Sequence, residues 1–244
     1  RGEERAARLS SVLEVIYLVF NEGYAATSGQ DWIRPALCED ALRLARVLSG
    51  LMPKESEVHG LTALLEFQAS RAPARTGPDG APVLLKDQNR ARWNRMLLAR
   101  GVTALTLADA TAAGAPGPYA LQAAIAACHA HAYRYEETDW HRIATLYALL
   151  DARTPSPVVE LNRAVAVAMA FGPEAGLELV DQLVAAGALE RYHLLPSVRG
   201  DLLERLGRRG EARAQFERAA ELTRNAPERK VLLDRAASLD GRAQ

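Results

Sequence analysis

The chain has 244 residues, with 30 Lys and Arg balanced by 30 Asp and Glu, so its formal net charge is zero. That balance excludes a global field able to hold nucleic acid or an acidic membrane. An apolar content of 49% with 25% charged residues excludes a disordered chain. Two distant cysteines, Cys38 and Cys128, exclude a disulfide framework and read as reduced core residues of a cytoplasmic protein. Aromatics make up only 6% and alanine is abundant, which favours close-packed helices over sheets.

Residues 1–8 carry charge and no apolar stripe, and read as a linker or a helix lead-in. The run VLEVIYLVF that follows is rich in β-branched residues and is compatible with a buried strand. The spacing of Leu9, Val12, Leu13, Ile16 and Phe20 decides for a helix, and its apolar groups lie almost all round, as in a helix buried on several sides. This run has nine residues and contains Glu14, far short of the roughly 20 needed to cross a bilayer. A second helix runs from Pro35 to Leu51, and a third from about Glu55 to before Pro73. Residues 73–86 break this rhythm around Pro78-Asp79-Gly80 and predict a small β-hairpin. Asp87 is then the expected cap of a fourth helix that ends at Gly114 and turns Trp93 inward.

From residue 116 on, the chain reads as a train of helices with short breaks. Gly117-Pro118, Thr138 or Asp139, Ser156-Pro157 and Gly172-Pro173 mark successive starts, and Gly207–Gly210 and Asn225–Pro227 divide the last three. The segment Gly200–Leu222 resembles a tetratricopeptide repeat. Gly200, Ala212, Phe216 and Ala219 hold the small, small, aromatic and small positions that let two helices approach around one ring. Pro173-Glu174-Ala175 parallels Gly210-Glu211-Ala212 and suggests an earlier copy, with 117–133 and 138–153 as a further pair. The expected architecture is all-α: a helical subdomain over 9–115 carrying the hairpin, then a right-handed stack of tetratricopeptide-like repeats over 116–244.

Several residues stand out as candidates. Asn21, Glu22 and Tyr24 follow the first apolar run, and read either as a pocket or interface cluster or as a helix-end hydrogen-bond network. Arg71 flanks the hairpin, and His129 lies in the Ala-rich helix; with Glu22 they could anchor a small molecule. Asn162 and Arg163 fall in a first repeat helix, where they could hold a peptide backbone or carboxylate, or serve only structure. His129 and His131 stand two apart, on different faces of a helix, so no metal site is expected. No nucleophile elbow, phosphate loop, dinucleotide fingerprint or His-Glu-x-x-His occurs, so neither an enzyme nor a cofactor is expected.

The stretch VLEVIYLVFNEGYAATSG resembles the segment that follows region 4 in a group of extracytoplasmic-function (ECF) RNA polymerase sigma factors with long helical C-terminal extensions. Residues 34–51, 71–93, 117–129, 138–140, 156–169, 192–195 and 200–222 carry the same resemblance. Sigma regions 2 and 4 have no counterpart here, so the resemblance implies an extension of a longer protein, with residues 1–8 leading from region 4. It further implies a regulatory module of transcription initiation. Its partners would be sigma regions 2 and 4 and RNA polymerase, with DNA reached only through those regions and no membrane involved. A small-molecule-sensing domain that controls the sigma factor is the alternative.

Overall fold

A computed structural model describes residues 2–25, 33–78 and 80–239. Asp79, at the centre of the expected turn, lies outside them. Among the described residues there are eleven α-helices and no strand, and no helix is long and apolar enough to cross a membrane. The chain forms two compact units that divide between Thr138 and Asp139.

The first unit contains α1 (Gly2–Tyr24), α2 (Pro35–Leu51), α3 (Ser56–Ser70), α4 (Arg95–Thr111) and α5 (Pro118–His131). Its centre is α3, which touches each of the other four helices. Val58, Leu61, Ala63, Leu64, Leu65 and Phe67 are all buried, so α3 is apolar on every side. The sequence places this role on α1 instead, and the structure corrects it. Leu13, Ile16 and Phe20 face the core, whereas Val12, Val15 and Leu18 are 45%, 59% and 57% exposed. The charged residues expected as a lead-in continue the helix back to Gly2.

The expected hairpin reduces to one antiparallel bridge between Thr76 and Pro82, flanked by 3-10 turns at Ala72–Ala74 and Leu85–Asp87. Proline at position 82 has no N–H to offer a ladder, which keeps the pairing from extending. Asp87 caps no α-helix. A further 3-10 turn spans Arg90–Arg92, and Asn94 caps α4 by accepting from the N–H groups of Met96 and Leu97. Trp93 is buried as expected, but just ahead of the helix.

The second unit contains α6 (Trp140–Arg153), α7 (Pro157–Phe171), α8 (Pro173–Ala185), α9 (Leu194–Arg205), α10 (Arg209–Leu222) and α11 (Ala226–Ser238). Each packs on its neighbour in sequence. Asp139, Ser156 and Asn225 cap helices with their side chains. A Cβ on Gly200 would meet the Phe216 ring at 2.8 Å, so the small residue and the aromatic meet where the spacing puts them. The turn between them uses Gly207 at φ +75°. The two helices expected as a pair over 117–153 part company. α5 packs across α3 and α4 in the first unit, while α6 packs on α7 in the second.

Close helix approach depends on glycine in the first unit too. A Cβ on Gly60 would lie 2.6 Å from the backbone nitrogen of Ala120 on α5, and backbone cannot step aside. Gly50, near the end of α2, has nothing within 4 Å. Gly60→Ala should therefore lower stability by about 1–3 kcal/mol through overpacking. Gly50→Ala should raise it by roughly 0.5–1 kcal/mol through helix propensity and unfolded-state entropy. Urea melts of the two variants test this, and equal shifts in one direction would show that α3 and α5 are not in backbone contact.

Candidate functional site

Two features of the first unit concentrate charge in its interior. The first surrounds α5. Its opening N–H groups have no intrahelical partners, and the Glu57 carboxylate of α3 accepts from Tyr119 at 2.8 Å and Ala120 at 3.1 Å. Gly117 is required there, because a Cβ would run into that carboxylate. At the other end, buried Arg90 donates to the carbonyls of His129 at 2.6 Å and Ala132 at 2.8 Å, and to Thr138 Oγ1 at 3.3 Å. An anion at the N-terminus and a cation at the C-terminus both favour the helix dipole.

Arg71 and His129, both singled out from sequence, do come together here. Arg71 and Arg90 approach the Trp93 ring at 5.5 and 5.0 Å. Arg71 also donates to Gln68 Oε1 at 3.2 Å. Burial drives the His129 pKa down to about 3, and the nearby Arg71 and Arg90 charges push the same way. Burial likewise lowers the pKa of Arg90, with Arg71 adding to it. His129 is thus a neutral imidazole between two cations, unsuited to proton transfer near neutral pH. Among the described residues no cluster of His, Cys, Asp or Glu could hold a metal ion.

The second feature lies at the end of α1. Asn21 contributes its carbonyl, which accepts from Ala25 N at 2.8 Å. Glu22 pairs with Arg34 at 3.0 Å. Tyr24 stacks on Phe20 at 5.6 Å, and the Arg75 guanidinium lies over the Tyr24 ring, 3.4 Å from its centroid. The same guanidinium donates to the Tyr24 carbonyl. Asn21 and Glu22 therefore serve the helix end, whereas Tyr24 borders a cavity of about 380 Å³.

That cavity draws on α1, α2, α3, α4 and the 3-10 turn before Arg75. Leu42, Ala69, Met96 and Leu97 supply apolar wall; Arg46, Arg75 and Arg100 supply positive charge, and Glu39 negative charge. Arg46 is already engaged, as a two-pronged pair with buried Glu66 at 2.7 and 2.9 Å. Cys38 is also on the wall. Burial pushes its thiol up to about 11 against the opposing pull of Arg75, which favours the neutral thiol near neutral pH. The expected anchors Glu22, Arg71 and His129 do not line this cavity. Arg46, Arg75 and Arg100 do, and the sequence offered no sign of their convergence, because they come from three separate elements.

In the second unit, Arg163 is held by Glu160 through two 2.7 Å bonds one helical turn away, and Asn162 is exposed. Neither contributes to the cavity.

Residues 8–109 match a family described as a family of unknown function (DUF6596). This stretch includes every residue that lines the cavity. The chain is also similar to an uncharacterized protein of Rhizobium meliloti, at 50% identity over 226 residues, or 92% of this chain and 52% of the relative. The chain thus spans about half the length of the curated relative it matches.

The neutral state of His129 has a pH consequence. Its folded pKa of about 3 lies below the ordinary 6.5, so between these values the unfolded chain binds the extra proton. Its contribution to stability is complete above the higher value and is lost as pH falls, by up to ~1.4 kcal/mol per pH unit. His129→Gln should flatten this acid branch in urea melts recorded from pH 7 to 4. Parallel profiles for the two proteins would exclude a buried neutral imidazole.

Proposed function

We propose that this chain is a regulatory, protein-binding module of an ECF RNA polymerase sigma factor. It docks on sigma regions 2 and 4 or on RNA polymerase, in the cytoplasm, and modulates transcription initiation without catalysis of its own. DNA is reached only through those sigma regions. The helices from α7 to α11 act as tetratricopeptide-like repeats in this reading. The sequence resemblance supports it, as does similarity to a relative about twice as long, into which a module of this size fits.

The observation that carries the docking role is the outer surface of the first unit. Val12, Val15 and Leu18 recur every three residues on α1 and are exposed, and so are Leu44, Val47 and Leu51 on α2. The two helices pack on each other, so both rows belong to one helix pair. Scattered exposed apolar residues are ordinary, but ordered rows on adjoining helices are the usual mark of an interaction surface.

Val15→Glu/Leu18→Glu removes this row while leaving the buried face of α1 intact. The double variant should keep the wild-type melting temperature but bind polymerase and isolated sigma regions at least about tenfold more weakly, a loss of roughly 1.4 kcal/mol. Biolayer interferometry measures it. Undiminished binding by the variant, or no binding by the wild type, overturns the docking role. The second reading, control by a small molecule, is favoured by the cavity beside Tyr24.

A further inference from the structure

We propose that the exposed start of α4, with the 3-10 turn before it, is a docking site for a short acidic segment of a partner protein, one that mixes carboxylates with apolar side chains. It belongs to other helices than the α1 and α2 rows, and stands whether or not the chain serves transcription.

Charge comes first. In a chain with no net charge, residues 71–100 carry seven basic side chains and two acidic ones. Elsewhere in the first unit Arg8, Arg34, Arg43, Arg46 and Arg134 each hold a carboxylate. Arg71 and Arg90 turn toward Trp93. Lys86, Arg92, Arg95 and Arg100 are exposed, and among the described residues none of them has a carboxylate within ion-pair distance.

The fold gains nothing from this charge at Arg95. It is the first residue of α4, where the helix dipole favours an acidic side chain, and the first turn of α4 contains none. A cation that opposes the dipole and pairs with no carboxylate costs stability, and such breaches of a local rule fall where function requires them. A docked carboxylate would remove that cost.

The helix surface then selects the occupant. Successive helical residues turn by about 100°. Leu98, Gly101 and Ala104 point inward, so Ala99 and Met96 form an outward apolar strip with Arg95 on one side and Arg100 on the other. Met96 is 58% exposed. Arginine and methionine are enriched at protein interfaces, and a guanidinium fork matches a carboxylate. A nucleic-acid backbone offers Met96 no apolar contact, and no aromatic ring stands between these arginines to stack a base. A neutral chain also lacks the extended field that holds a long polyanion.

Fluorescence anisotropy on the purified full chain tests the proposal. The probe is a short labelled peptide of leucines separated by pairs of glutamates. The controls are the same peptide with glutamine for glutamate, and a labelled DNA duplex. The acidic peptide should bind at least about tenfold more tightly than either control, and more weakly as salt rises. Arg92→Gln/Arg95→Gln should weaken it at least about tenfold. Arg142→Gln/Arg153→Gln on α6 removes two exposed arginines that also hold no carboxylate, and should leave binding unchanged. Arg95→Glu should raise the melting temperature while binding is lost, which separates lost binding from lost fold. Equal loss in the α6 variant, DNA or the glutamine peptide bound as tightly as the acidic one, a melting temperature lowered by Arg95→Glu, or no binding of the acidic peptide each overturns the proposal. None of these measurements contains polymerase or alters α1, so their failure is separate from failure of the docking role.

Discussion

Five helices in this protein end on an arginine brought from another element. Arg75 meets the Tyr24 carbonyl at the end of α1, and Arg90 meets His129 and Ala132 at the end of α5. Arg205 reaches Ala168 in the last turn of α7, Arg229 reaches Ala220 and Thr223 at the end of α10, and Arg209 reaches Ser238 and Leu239 at the end of α11. The last four carbonyls of any helix lack intrahelical donors and carry the negative end of its dipole. A guanidinium supplies several donors and a positive charge at once. Each such cap contributes about 0.3–2 kcal/mol through the dipole alone. Among the described residues eleven helices present eleven such ends, so this need recurs along the chain.

These caps also account for much of the sequence's arginine. Much of the positive charge is directed at backbone or at carboxylates: Arg46 at Glu66, Arg235 at Asp201 and Glu204, Arg199 at Asp181. Arg235 further lies 4.2 Å from the Phe216 ring centroid, covering the aromatic that Gly200 admits. Lysine could not replace these residues with equal effect, since its compact ammonium lacks the planar fork. The scaffold is thus pinned by directed charge, while alanine and glycine set how close its helices lie.

Local signals in the sequence were read well where the physics is local. Pro157 after Ser156, a cap at Thr138 or Asp139, and the Gly200–Phe216 spacing act over a few residues or one helix pair; the structure places the first and last accordingly and gives the cap to Asp139. Long-range decisions were not legible. Val12, Val15 and Leu18 look like core by composition, yet whether a neighbour covers them depends on where α3 lies. The partition of α5 and α6 depends on Gly60 meeting Ala120 across 60 positions, which no periodicity records. Arg75 and Tyr24 are 51 residues apart. Glu22, which stood beside Tyr24 as an equal candidate, found Arg34 instead, because its position on the helix turns it away from the cavity wall.

The first helix presents two apolar faces with different surroundings. Its buried face runs Leu13, Ile16, Phe20, and Phe20 stacks on Tyr24 at the cavity. Its outer face runs Val12, Val15, Leu18. A partner seated on Val15 would therefore act on the same continuous helix of 23 residues that carries Tyr24. Arg75 belongs to that arrangement, since its guanidinium caps α1 and the residue also lines the cavity. A partner that shifted α1 would therefore disturb the Arg75 contact at its end and the cavity beside it. Coupling of this kind is reciprocal by thermodynamic necessity. Its size is set by how differently the ligand interacts with the two positions of α1, not by how tightly it binds. Gly23 lets the end of α1 lie close against the start of α2, where a Cβ would meet the backbone of Cys38 at 2.7 Å and of Arg34 at 2.9 Å.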